Sequence, residues 1–259
     1  MTELERCIAM LREIDRRAAG RAVPFRFGTA YLRDELPNVW SRNYLSLERA
    51  DDDASAELLA AEADRVLGDA GIAHRKVEVM NGEVGARLAP GFAKLGWRVE
   101  CDVVMVASRA PDREADPSVV EEVRPEELEA VWAESQHSDV DVGDDTVIRQ
   151  LAHGKRVLAS AIDVRFFGAR AEGETGAYCE LYSVEGTGQI ENVLTLERFR
   201  NRGLARALVL RALEASRELG NDLTFLLADR DDWPKQLYRK LGFDELGSEW
   251  NFGRPSTPG

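Results

Sequence analysis

Three arginines and a glycine crowd one short stretch of this sequence. Arg198, Arg200 and Arg202 precede Gly203, and Leu204 opens a run, Arg206-Ala207-Leu208-Val209-Leu210-Arg211-Ala212-Leu213, with apolar residues at helical spacing. Upstream, Gln189 to Leu196 reads as a buried strand. Strand, tight turn and helix in that order present the free N–H groups of a helix's first turn, and the positive end of its dipole, to an anion. The arginines add cations at that mouth, and Gly203 removes a Cβ where a ligand must approach the backbone closely. The chemistry this pattern supports is the holding of a pyrophosphate. An ordinary basic helix start has the same residues, so the pieces around the stretch must decide.

Other reactive residues point elsewhere or nowhere. Cys7, Cys101 and Cys179 lie far apart, show no metal spacing and suit a reducing cytoplasm; no metal site is expected. His74, His137 and His153 are isolated and read as structural or surface residues. A chain of 259 residues with 44% hydrophobic and 31% charged residues is a globular protein of one domain or two. Its formal net charge of -13 argues against a general nucleic-acid binder, and an acidic surface attracts amines. The N-terminus is charged and lacks a signal-type apolar core, and no run is long and apolar enough for a bilayer, so no membrane partner is expected.

The elements that must position the arginine stretch follow from hydrophobic periodicity. Leu4 to Arg17 predicts an amphipathic helix, and Phe25 to Leu32 and Tyr44 to Leu47 predict strands. Asp53 to Leu67 predicts a helix with Leu58, Leu59, Ala61 and Val66 facing a core. His74 to Val79 and Arg98 to Ala107 read as strands, with a short helix from Pro90 to Leu95 between them. Arg109 to Ser118, with two prolines and alternating charge, reads as a linker. Beyond it come a strand at Val119 to Val123, a helix from Arg124, and a helix over Asp145 to Leu151. Strands are expected at Ala159 to Ala171 and Ala177 to Ser183, then the central strand, loop and helix. A strand at Leu223 to Ala228, a short helix at Trp233 to Leu241 and the last strands at Phe243 to Phe252 complete the chain. Trp40, Trp132, Phe166 and Phe167 are aromatic candidates for an acceptor pocket or for core.

The two halves echo each other. Phe92-Ala93-Lys94-Leu95-Gly96-Trp97 matches Tyr238-Arg239-Lys240-Leu241-Gly242-Phe243, a helix that stops at a glycine and drops an aromatic into the core. At the helix mouth that corresponds to Arg198–Ala205, the first half has Asp51-Asp52-Asp53-Ala54-Ser55-Ala56-Glu57. Those acids stabilise a helix start and repel a pyrophosphate. The first half is therefore expected not to bind such a ligand there.

Arg200-x-x-Gly203-x-Ala205 resembles the pyrophosphate loop of the GCN5-related N-acetyltransferases (GNAT), and Asp231 to Phe243 is similar to the family's Asn-x-x-Ala-x-x-Leu-Tyr-x-x-x-Gly-Phe segment. The resemblance covers Val119 to Phe252, and the first half more loosely. It implies an α/β (α+β) fold of two tandem GNAT-like units, each a mixed, mostly antiparallel twisted sheet flanked by helices. The halves would be 1–108, a degenerate copy without the cofactor loop, a linker at 109–118, and an acetyltransferase domain at 119–259. It implies acetyl-CoA as co-substrate and direct transfer of the acyl group to an amine in the cytoplasm, or alternatively an acyl-CoA sensor or scaffold without turnover. Val193, Leu194 and Thr195 would pair with the pantetheine arm, and Arg200, Asn201, Arg202, Gly203, Leu204, Ala205 and Arg206 would face the pyrophosphate and adenylate end. Tyr238, at the family's tyrosine position, would be the acid; Phe92 stands at the matching place in the first half. Glu191 would be the base, on one strand face with Val193 and Thr195, with Glu180 and Glu185 as fallbacks. Asp231 stands where the family has Asn, Pro234 replaces Ala, and Thr195-Leu196-Glu197 lacks the family's proline; these departures put full activity in doubt.

Overall fold

The computed structural model describes residues 1–49, 53–137 and 145–255, with Gln136 and His137 as backbone alone. Asp51 and Asp52 of the expected acidic helix mouth lie outside the described residues, as does any side-chain role of His137. The elements in chain order are α1 (Glu3–Ala18), β1 (Arg21–Phe25), β2 (Gly28–Leu32), β3 (Tyr44–Leu47), α2 (Ala56–Asp69), β4 (Arg75–Val79), α3 (Gly82–Lys94) and β5 (Arg98–Ala107). They continue as β6 (Val120–Val123), α4 (Glu129–His137), α5 (Asp145–Ala161), β7 (Asp163–Ala171), β8 (Glu174–Val184) and β9 (Thr187–Thr195). The chain ends with α6 (Leu204–Glu218), β10 (Leu223–Asp229), α7 (Pro234–Lys240) and β11 (Phe243–Arg254).

The chain forms two compact units, one of Met1–Met10 with Val104–Leu246 and one of Leu11–Val103 with Gly247–Gly259. These cut across the linear halves expected from the sequence: the first ten residues and the last thirteen each join the unit built mainly from the other half. Arg6 anchors the first ten residues, donating to the carbonyl of Gly186 at 3.2 Å and pairing with Asp222.

The smaller unit is a mixed sheet in the order β1-β2-β3-β4-β11. Only β3 and β4 run parallel there; β11 joins β4 antiparallel, with Trp250 opposite Val79 and Phe252 opposite Val77. The expected strand at Phe25 to Leu32 is a hairpin, with Phe25 opposite Gly28. Helix α2 starts at Ser55, whose side chain accepts from Leu58 N–H at 3.3 Å. Leu59 and Val66 enter the core, whereas Leu58 is 40% exposed. Helix α3 is longer than the Pro90–Leu95 segment expected. Asn81 caps it by accepting from Glu83 and Val84 N–H, both at 3.1 Å, and its glycines are held by tertiary contact despite poor helix propensity. A Cβ on Gly85 would strike Trp250 at 2.2 Å. Phe92 is fully buried and stacks on Phe252 at 4.2 Å. Trp40 stacks on His74 at 4.7 Å, and His74 Nε2 bonds the Asn43 carbonyl at 2.9 Å, a structural histidine as read from the sequence.

The larger unit holds strands in the order β5-β10-β9-β8-β7-β6. The β6–β7, β7–β8 and β8–β9 ladders are antiparallel, and β10 runs parallel to β9. One face is covered by α6, whose Leu208 and Ala212 are fully buried beside Cys179 and Phe167. The other carries α4 and α5, and Trp132 sits there 5.9 Å from Phe166 and 6.3 Å from Tyr178. Trp132, Phe166 and Phe167 are thus core. Helix α5 reaches Ala161, so the strand expected from Ala159 begins at Asp163.

Candidate functional site

Strand β10 pairs with β9 from Leu223↔Thr187 to Leu226↔Ile190, and the ladder stops there. Past that point the end of β9, Glu191–Thr195, leaves β10 behind, and a cleft of ≈ 1120 Å³ opens. Its walls include Val193, Leu194 and Thr195 from β9, Arg200, Asn201, Gly203, Leu204, Ala205 and Arg206 from the loop and first turn of α6, and Asp232, Trp233, Pro234, Gln236, Tyr238 and Lys240 around α7. Asp112 and Arg113 close one side.

The helix mouth expected to hold a pyrophosphate is open and free of acid. Gly203 is the residue before α6, in the left-handed region at φ 83, and no side chain caps the helix start. The first turn carries no acid, and the space where a Cβ on Gly203 would sit is open. Asn201 is also left-handed, at φ 63. The first turn of α2 in the smaller unit is the opposite case, closed by Ser55 and carrying Glu57.

The arginines divide unequally. Arg198 is paired with Glu134 and Glu174, and Arg202 with Glu172 at 2.6 Å; Arg202 lies off the cleft wall. Arg206 is 6% exposed and donates to Asp112 at 2.6 Å and to the Arg113 carbonyl at 3.1 Å. Arg200 alone of these four makes no ion pair among the described residues, and it lies on the wall. Asp231 is not on the wall; its N–H donates to Asp229 at 2.8 Å, and the neighbouring Asp232 takes the place at the cleft.

Tyr238 reaches the cleft from α7 while its ring packs 6.2 Å from Phe243. It is 7% exposed, and burial, with Glu191, Cys179 and Asp232 nearby, raises its phenol well above the ordinary range. It stays protonated at neutral pH. Glu191 accepts from Gln189 Nε2 at 2.7 Å. The expected alternation of Glu191 with Val193 and Thr195 on one strand face fails. The register slips between Tyr178 and Glu180: Glu180 faces Glu191, but Tyr178 faces Leu194. Glu191 therefore shares its face with Leu194. The extra residue is accommodated at Asn192, left-handed at φ 54, a β-bulge that the sequence reading missed. Glu180 is buried in contacts of its own: Lys155, Tyr182 and Asn192 all bond it. Glu185 lies in the turn after β8, at φ 49.

A thioester cofactor with a diphosphate fits these residues. Thr195 Oγ1 is buried on the wall with no hydrogen-bond partner among the described residues, which a ligand's amide can satisfy. The uncapped, acid-free start of α6 and the unpaired Arg200 suit an anion. The supposed linker also belongs to this site. Asp112 N–H donates to the Lys240 carbonyl at 2.8 Å, and Ser108 and Arg109 N–H both donate to the Gly242 carbonyl at 3.0 Å. Gly242 must be glycine, at φ 94 with the Arg109 carbonyl 2.1 Å from where a Cβ would be. The prolines and alternating charges of 109–118 hid this wall in the sequence, and Trp233 gave no signal beyond its neighbour Pro234.

Residues 166–251 match the FR47-like protein family model. No curated protein matches the chain in sequence. Among solved structures, a conserved protein of unknown function from Staphylococcus epidermidis superposes with a TM-score of 0.69 at 14% identity, over 92% of this chain and 95% of that one. A GCN5-related N-acetyltransferase from Kribbella flavida gives 0.64 at 18%, over 98% and 96%. A tandem GNAT protein from the clavulanic acid biosynthesis pathway, solved without acetyl-CoA, gives 0.53 at 17%, over 78% and 70%. The likeness is one of fold: a mixed α/β fold shared with GCN5-related N-acetyltransferases, tandem ones included.

Proposed function

We propose that this chain, with a GNAT fold and a cleft of this composition, is an acetyl-CoA-dependent N-acetyltransferase acting on an amine. The observation that carries the reading is the cleft where β9 and β10 part, ending at the uncapped, glycine-led start of α6. Bound there, acetyl-CoA would supply an acyl group activated as a thioester. The backbone of Val193 to Thr195 holds the pantetheine arm, and Thr195 Oγ1 gains the partner it lacks. The amides of Gly203 to Arg206, with Arg200, hold the diphosphate. The phenol of Tyr238, kept protonated by its burial, is the donor to the departing sulfur. Glu191 accepts the amine's proton, directly or through one water. In this reading the N-terminal half keeps the fold and gives up the loop chemistry.

Free thiol released from acetyl-CoA over a panel of amines measures the activity. Tyr238→Phe and Glu191→Gln are each expected to lower kcat about a hundredfold, the ordinary worth of a positioned acid or base. Turnover left intact in both variants would remove the assigned roles, and no thermal shift with millimolar coenzyme A would remove the site. A second reading, an acyl-CoA-binding sensor without turnover, is favoured by the neutralised Arg206–Asp112 pair and by Asp232 on the wall. Tight coenzyme A binding with no thiol release on any amine would select it.

A further inference from the structure

The bulge in β9 decides which backbone groups of Val193–Thr195 meet the cleft, and something must hold it. A non-glycine residue in the left-handed region inside a strand is a strained arrangement, although Asn tolerates it better than most. Behind Asn192 lies a charged cluster that the proposed chemistry does not use. Glu180 on β8 is 1% exposed. One carboxylate oxygen is paired with the Lys155 ammonium of α5, whose side chain is 14% exposed. The other accepts from the Tyr182 hydroxyl at 2.6 Å and from the Asn192 amide, Nδ2, at 3.1 Å. Asn192 Nδ2 lies a further 3.3 Å from the Tyr182 hydroxyl. Lys155 is itself fixed, its ammonium 5.1 Å from the Trp132 ring centre and 5.8 Å from that of Tyr178.

A carboxylate so placed is engaged at both oxygens. Its two oxygens hold an ammonium, a phenol and an amide. A buried ion pair of this kind is poor value as a source of stability, because desolvation offsets most of the attraction. Its worth lies in direction: both oxygens are locked in position by α5 and β8, so the bond to Asn192 defines where the bulge must sit. We infer that Glu180 is a positioning residue which, braced by Lys155 and Tyr182, clasps Asn192 and thereby holds the β9 bulge that turns the Val193–Thr195 backbone into the cofactor cleft. The inference rests on the proposed use of that cleft for coenzyme A.

The test separates the clasp from the conformation. Asn192→Gly keeps the left-handed backbone at no steric cost but has no amide to give Glu180. Asn192→Asp keeps the shape and sets a carboxylate against Glu180. Both lie on an exposed residue, so folding survives where Glu180→Gln, which strands a buried Lys155, need not. Amide hydrogen exchange of the full-length protein without cofactor, followed by mass spectrometry over the peptide spanning β9, reads the bulge directly. Exchange at Val193–Thr195 is expected to quicken in both variants. Coenzyme A titrated by calorimetry is expected to bind about tenfold more weakly in both, the worth of one charge-assisted hydrogen bond. Wild-type exchange over β9 in Asn192→Gly would overturn the clasp, as would faster exchange with unchanged affinity overturn its positioning role. Failure of the wild-type protein to bind coenzyme A would instead strike the proposed function itself, and the positioning role with it.

Discussion

Trp233 is 61% exposed at the start of α7 and lines the cleft. A large aromatic face turned to water beside the proposed anion site is the feature expected where a planar, uncharged part of a ligand settles. Stacking a base on such a ring contributes on the order of 1–3 kcal/mol. Trp233→Ala is therefore expected to weaken coenzyme A about tenfold while leaving thermal stability unchanged, since the ring supports no core. Pantetheine alone, which has no base, should bind both proteins equally. Equal loss for pantetheine would place the ring against the arm and defeat the argument. Tyr238 differs in kind. Its ring is buried against Phe243, and the proposed chemistry needs only its hydroxyl, so Tyr238→Phe separates chemistry from packing in a way that Tyr238→Ala cannot. Phe92, fully buried against Phe252 in the other unit, shows what the same helix position becomes without that use.

At the scale of elements, the proposed site is the first turn of α6 and the parting of β9 from β10. Ala205 lies on the wall within that first turn. Ala205→Glu places a carboxylate where a helix favours one, by about 0.3–1 kcal/mol, and where a diphosphate does not tolerate one. The variant is expected to melt at or slightly above the wild-type temperature and to show no thermal shift with coenzyme A. A shift as large as the wild type's would mean that the helix mouth is not where the anion sits. The sequence made this element legible because its signals are local: a basic turn, a glycine, an apolar period. It made the bulge illegible for an equally physical reason. Glu191-Asn192-Val193 reads as plain alternation, and the Asn192 amide finds its partner Glu180 twelve residues away, with no periodic tie to it. The early start of α3 was hidden likewise, since Gly82, Gly85 and Gly91 speak against a helix until Trp250 is seen packed against one of them.

At the scale of the molecule, the internal repeat foretold paired folds, and both glycine helix ends are present, Gly96 at φ 75 and Gly242 at φ 94. It did not foretell that β11 would complete the sheet of the smaller unit, because a strand's pattern encodes its faces and not its neighbours. One consequence is electrostatic. In the smaller unit the half-buried Asp15 of α1 meets the buried Tyr44 and Glu78, with buried Glu249 of β11 beside Glu78 and with Arg42 and Lys76 as nearby cations. Burial, with Glu78 beside it, pushes the Asp15 carboxyl up to about 7, and burial raises Glu249 well above its ordinary value. An unfolded aspartate titrates near ~3.9, so between there and about 7 the folded chain holds a proton that the unfolded chain has lost. Stability from Asp15 is full below the lower value, falls as pH rises through that window, and is level above it. Burial depresses His74 to about 4, which gives the opposite slope up to its ordinary value of 6.5. Asp15→Asn leaves His74 untouched and still accepts from Tyr44, so the difference between the two proteins cancels the His74 slope and leaves that of Asp15 with the carboxyl beside it. The expected result is an equal melting temperature at pH 4 and a higher one for Asp15→Asn at pH 8. Melting curves that stay parallel from pH 4 to pH 8 would show that the Asp15 carboxyl is not raised in the folded chain, with the Tyr44 hydroxyl, Arg42 and Lys76 offsetting its burial.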